Sequence, residues 1–254
     1  MTSSTVQIDQ ITKSYGSTTI IGPTSVTING GEFVSILGPS GCGKSTILGM
    51  IAGLQFPSSG AVSTGGKEIT GPGPDRGMVF QHHALLPWMT ARSNIEFGLK
   101  SARPDYSREQ RREVAGDFQA KVGLTHAADR RPARLSGGMQ QRVGLARDFA
   151  LDPEILLLDE PFGALDALTR RQLQLQLLEV WEASRRTVVM VTHDVDEAIL
   201  LSDRVLVMAP SPESTIIADI TVDLPRPRFE EAGDQAVEQR SAELRHELLG
   251  LLHH

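Results

Sequence analysis

One stretch constrains this chain more than any other: Gly38, Pro39, Ser40, Gly41, Cys42, Gly43, Lys44, Ser45 and Thr46. It follows a compact apolar run, Glu32–Leu37, that reads as a strand, and it leads into Thr46–Leu54, which reads as a helix. The glycines let the backbone curl so that successive N–H groups point inward. The helix start adds partial positive charge at the same place. Gly-x-x-x-x-Gly-Lys-Ser in a strand–loop–helix context is a cradle for a chain of phosphates. Lys44 would reach the β- and γ-phosphates, and the Ser45 hydroxyl would ligate Mg²⁺. Cys42 reads as a small loop residue, because a thiolate beside bound phosphate would be repelled.

The cradle matters because the rest of the chain offers no general attraction for a polyanion. Lys and Arg total 25 against 31 Asp and Glu, a formal charge of −6 over 254 residues. No basic field exists to hold nucleic acid. Apolar residues at 40% and charged residues at 22% are ordinary for a globular protein with a sizeable core. A single cysteine excludes an internal disulfide framework and fits a reducing compartment. Met1–Gln10 lacks the layout of a signal peptide, and the longest apolar runs fall far short of a membrane span. A cytosolic chain is expected, whose membrane role would need a separate membrane partner.

Apolar runs at Ile155–Leu158 and Thr187–Val191 resemble buried parallel strands. Between them Leu173, Leu177, Val180 and Trp181 fall on one face of a helix. Strand–helix–strand predicts an α/β core. Thr5–Ile11 and Ser25–Ile28 read as further strands, with turns at Tyr15–Gly16 and at residues 29–31. Residues 83–134 are polar and helical, which predicts a helical subdomain inserted at about 83–150. After the break at Pro225–Arg228, Val237, Leu244, Leu248 and Leu251 mark an amphipathic helix in a tail over 229–254. It would fold back on the core or serve a dimer contact.

The run Ile155–Leu158 ends in Asp159 and Glu160. A buried strand delivers Asp159 to the C-terminal sheet edge, where open α/β sheets bind ligands. There it can hold Mg²⁺, directly or through water. Glu160 can take a proton from an attacking water or polarise it.

Leu135, Ser136, Gly137, Gly138, Met139, Gln140, Gln141 and Arg142 then resemble the signature motif of ABC transporter ATPases. Other elements of that family follow in order. Tyr15 resembles the A-loop aromatic that stacks on adenine, Gln81 the Q-loop glutamine, Gly163–Asp166 the D-loop, and His193 the switch histidine. The resemblance runs from about Val6 to Ala209. It implies a P-loop, RecA-like α/β core with an antiparallel β subdomain and an inserted helical subdomain, over residues 1–228. It also implies a dimer that sandwiches two ATP, each between the Lys44 loop of one copy and Ser136, Gly137 and Gly138 of the other. Ser136 is a good N-cap, and the glycines leave backbone N–H groups bare at a helix start.

By the same resemblance Ser45, Gln81 and Asp159 organise Mg²⁺ and water. Glu160 is the base, His193 contacts the γ-phosphate, and Asp166 serves the nucleotide site. The apolar stretch between Gln81 and Thr90 is expected either to form a groove for a permease or to pack the helical subdomain with Leu86, Trp88 and Met89. Residues 73–77, 86–90, 161–166 and 196–204 look like the nitrate/sulfonate/taurine importer group, with a lean towards nitrate, cyanate or bicarbonate members. That implies a subunit peripheral to the inner face of the cell membrane, working with a permease and an extracytoplasmic binding protein. Gly163 stands where many relatives have serine. The alternatives are an exporter or lipid-transport ATPase, or a soluble ABC ATPase. The last usually has two cassettes or a long coiled-coil insertion, and this chain has neither.

Overall fold

The computed structural model describes residues 4–80, 85–163, 165–228 and 235–252. In chain order the elements are β1 (Val6–Tyr15), β2 (Thr18–Ile28), β3 (Phe33–Leu37), α1 (Lys44–Ile51), β4 (Ser59–Thr64), β5 (Lys67–Glu68) and β6 (Arg76–Val79). Then come α2 (Ala91–Ala102), α3 (Arg108–Lys121), α4 (Gly137–Ala150), β7 (Ile155–Asp159) and α5 (Ala167–Ser184). The chain ends with β8 (Thr187–Thr192), α6 (Val195–Leu201), β9 (Arg204–Met208), β10 (Ile216–Thr221) and α7 (Gln235–Leu252). Two compact units result, residues 1–73 with 181–254, and residues 74–180.

In the first unit β1 lies antiparallel between β2 and β4, with β5 beyond β4. A second set has β3 between β8 and β9, parallel to both, and β10 antiparallel to β9. Every residue of β3 and β8 is buried, which is why both read as unbroken apolar runs. Leu37 is in register with Thr192 of β8 and Val207 of β9. The chain therefore leaves β3 and β8 at one edge, and Gly38 and His193 emerge there together. At the other end of β3, Phe33 meets Trp181 edge to face, with ring centroids 5.6 Å apart.

The C-terminal helix packs within this unit. Leu244 and Leu248 of α7 are fully buried with Leu37, Val195, Ile199, Val205 and Val207. Burying each leucine contributes about 1.5–3 kcal/mol. Val237 and Leu251 are only half-buried, so the covered stripe is narrower than the apolar spacing suggested. Arg228 secures the end of α6 by donating to the carbonyls of Ile199, Leu200 and Ser202, and also to Val222. Burial lowers its pKa to about 10, so the guanidinium stays charged at neutral pH.

In the second unit β6 and β7 are parallel, from Arg76 beside Ile155 to Val79 beside Leu158. The unit is wider than the expected insertion, since these strands belong to it along with the helices. Helices α2, α3 and α4 pack on one another, and Ile95, Leu99, Ala115, Val143 and Ala146 on them are buried. Their starts are written in the sequence. Thr90 caps α2 through Ser93 N, and Ser107 with Gln110 forms a capping box on α3. Buried Asn94 fixes the approach to α2: its Oδ1 accepts from Leu86 N at 2.7 Å and its amide donates to Thr90 O at 2.9 Å. The segment so held carries Trp88, 65% exposed, with Leu86 and Met89 half-buried. Trp88 thus does not pack the subdomain core. Among the described residues no helix is long and apolar enough to cross a membrane.

Candidate active site

The cradle closes around its own lysine. Lys44 is buried, and its Nζ donates to the carbonyls of Gly38 and Pro39, both at 2.8 Å. Gly43, the N-cap of α1, has φ 95°, a left-handed conformation costly for any residue with a Cβ. A Cβ there would also stand 2.9 Å from Ile21 Cγ1, so two independent reasons require glycine. Cys42 is fully buried, and burial pushes its thiol above the usual range although Lys44 draws it the other way. That thiol is a packing group. Ser40, Gly41 and Ser45 are exposed, while Pro39 and Thr46 are half-buried. A loop with N–H groups at a helix start, one ammonium and two exposed serines suits a phosphate chain.

His193 follows β8 directly and is exposed. It precedes Asp194, which caps α6 by accepting from Glu197 N at 3.1 Å. The Leu37–Thr192 register brings this imidazole to the edge from which the Lys44 loop departs. Tyr15, at the end of β1, is 53% exposed and donates its hydroxyl to Gln55 Oε1 at 2.9 Å.

In the second unit Asp159 ends β7 half-buried. The register of Val79 with Leu158 means that the residue after β6, Phe80, leaves from the edge where Asp159 lies. Gln81 comes next and falls outside the described residues. Glu160 adopts φ 46°, unusual for a residue with a side chain and of the kind of strain found at functional sites. Gly163 N donates back to Glu160 O at 3.3 Å, closing the turn. Asp166 has a partner within its own turn. Its carboxylate accepts from Thr169 N at 3.0 Å, and this backbone bond holds its pKa below the ordinary range. It caps its own helix, α5.

Ser136 caps α4, accepting from Met139 N at 3.3 Å. Gln140 steadies the approach by donating to Pro132 O and Leu135 O. Ser136 and Gly137 are exposed, and a Cβ on Gly137 would meet nothing within 4 Å. A Cβ on Gly138 would instead stand 3.1 Å from Leu165 Cδ2, so the signature packs on the loop that follows Glu160.

The first unit therefore assembles Gly38–Thr46, Tyr15 and His193, and the second assembles Asp159, Glu160, Ser136 and Gly138. Sequence reasoning missed Gln55 and Asn94. Neither carries a motif, and only the fold reveals their partners. Within the first unit, the exposed Ser45 beside the Lys44 loop offers a hydroxyl oxygen of the kind that Mg²⁺ on a nucleotide prefers.

Comparison with known proteins agrees with this chemistry. Residues 21–163 match the ABC transporter family model. A nitrate import ATP-binding protein, NrtD of Synechococcus elongatus, is 48% identical over 90% of this chain and 83% of its own length. A bicarbonate transport ATP-binding protein, CmpD of Synechocystis sp., is 46% identical over 89% of this chain and 82% of its own. Among solved structures, the dimeric post-hydrolysis state of the ATP-binding cassette MJ0796 bound to ADP and Pi superposes with a TM-score of 0.77. It is 33% identical and covers 85% of this chain and 98% of that one. With the cradle, the paired acids and the signature helix in hand, the chain belongs to the ABC transporter family, as one of its ATP-binding and ATP-hydrolysing subunits.

Proposed function

We propose that this chain drives an importer of small inorganic anions, of the nitrate or bicarbonate type, as a dimer that holds two ATP against a membrane permease. The observation that supports the ATPase cycle best is the Leu37–Thr192 register, through which Lys44 and His193 serve one sheet edge. The two relatives named for nitrate and bicarbonate, alike over nine-tenths of the chain, support the cargo class.

In this reading Lys44 exchanges the carbonyls of Gly38 and Pro39 for β- and γ-phosphate oxygens. Tyr15 stacks on adenine. Glu160 accepts the proton of the water that attacks the γ-phosphorus in line, while His193 donates to a γ-phosphate oxygen. Ser45, Gln81 and Asp159 would hold Mg²⁺, which when bound would offset charge on the phosphates. Ser136, Gly137 and Gly138 of the partner subunit supply backbone N–H groups to the same γ-phosphate, so its charge joins the two copies. Exposed Trp88 belongs to the permease contact, on the cytoplasmic face of the membrane.

The test is purification of the tagged chain from native membranes. A permease and an extracytoplasmic binding protein should accompany it, and nitrate or bicarbonate on that binding protein should raise ATP hydrolysis in the reconstituted complex. Recovery of the chain without a membrane protein would contradict the transport reading. Stimulation by neither anion would contradict the cargo class.

A further inference from the structure

Gln55 lies in the turn after α1, between exposed Leu54 and Phe56, and belongs to none of the motifs read from the sequence. Its contacts nevertheless join two parts of the nucleotide site. Its backbone N–H donates to Gly49 O of α1 at 3.2 Å. Its side chain lies along Gly49 so closely that a Cβ there would sit 3.4 Å from Nε2. At its far end Oε1 accepts the Tyr15 hydroxyl at 2.9 Å. Beside it Lys13 donates to Phe56 O at 2.7 Å, and its Nζ stands over the Tyr15 ring, 5.1 Å from the centroid. The ammonium thus takes one face of the ring.

We propose that Gln55 is a positioning residue for the nucleoside. It ties the Tyr15 ring to the helix that begins at Lys44 and so sets the span between base platform and phosphate cradle. Lys13 covers one ring face and leaves the other for the base. Tyr15 is half-exposed at the end of a strand, and an exposed ring without a tether would spend much of its time in other rotamers. Holding it in place lowers the ordering cost of binding and strengthens base recognition without touching the base. The inference rests on the reading of Tyr15 as the adenine platform.

The test is calorimetry of ATP on the isolated full chain, with inorganic tripolyphosphate as a probe of the cradle alone. Gln55→Leu removes the acceptor and should weaken ATP about three- to tenfold, the worth of one hydrogen bond. Tripolyphosphate affinity should not change, and in turnover the effect should fall on KM. Tyr15→Phe removes only the hydroxyl, leaves the fold intact and should weaken ATP to the same degree. The double variant should be no weaker than the weaker single variant, because both changes break one bond. Gln55→Glu keeps an acceptor and should return ATP affinity to within about twofold of the parent.

Equal affinity in Gln55→Leu and the parent would overturn the proposal, as would losses that multiply in the double variant. So would a matching loss of tripolyphosphate affinity, which would mean a damaged cradle. The platform reading fails separately, if Tyr15→Ala binds ATP as the parent does.

Discussion

Two helices in this molecule begin with glycine beside a group suited to phosphate, and they are built in opposite ways. At the start of α1 no side chain caps the helix, Gly43 is left-handed, and Lys44 is buried against its own loop. At the start of α4 the serine caps its own helix, and Ser136 and Gly137 face outward. The first is a recessed site made within one unit, with a full positive charge at its centre. The second is a finished helix tip, capped by its own serine and with only backbone dipoles to offer. On the proposed function the contrast separates binding from closure: an ammonium in a loop would grip the phosphate chain, while a bare helix start would add a contact only when another surface brings phosphate to it.

The largest effect should come from a residue that belongs to neither helix start. Glu160→Gln should lower steady-state hydrolysis by about 100-fold or more, the usual worth of a positioned base, while ATP binding survives. Turnover near the parent rate would remove Glu160 from the chemistry. Next, Lys44→Ala should weaken ATP by about 10- to 100-fold in calorimetry, since charge-assisted bonds are lost. Gly137→Asp sharpens the comparison from the other side. The site is open, and an acid in the first turn suits an isolated helix, so the single chain should bind ATP as before. A loss of affinity there would mean that α4 already takes part in the first site.

A further test concerns Asp148 on α4. Burial pushes its pKa up to about 6, against the pull of Arg147, whose Nε donates to it at 3.1 Å. Because the folded value lies above the unfolded one near 3.8, the folded state suffers no loss below about pH 4. As pH rises from 4 through 6 the unfolded chain releases its proton first, and stability falls by up to about 3 kcal/mol. Asp148→Asn should remove that slope. Urea midpoints compared at pH 4.5 and 7.5 should differ less in the variant than in the parent, and equal slopes would contradict the assignment.

Much of this was legible in the chain and some was not, for physical reasons. β3, β7 and β8 are buried on both faces and so read as continuous apolar runs. β4 and β10 carry Ser, Thr, Gly and Asp, and they exist because β1 and β9 offer backbone partners. The Lys44 loop and Ser136 are local devices whose chemistry is set by adjacent residues. The roles of Gln55 and Asn94 arise from groups 40 and 8 residues away, and no spacing rule announces them. Asp166 marks the converse: the resemblance implied a nucleotide role for it, and the fold adds that it accepts from Thr169 N three residues on, as an ordinary helix cap does.

The central claim is that the exposed α4 tip closes on ATP held by another copy, and light scattering tests it most directly. The Glu160→Gln protein with saturating ATP should have the mass of two chains. The same protein carrying Gly137→Asp should bind ATP equally well and have the mass of one. A single-chain mass for the ATP-loaded Glu160→Gln protein, or a two-chain mass that survives Gly137→Asp, would contradict the account.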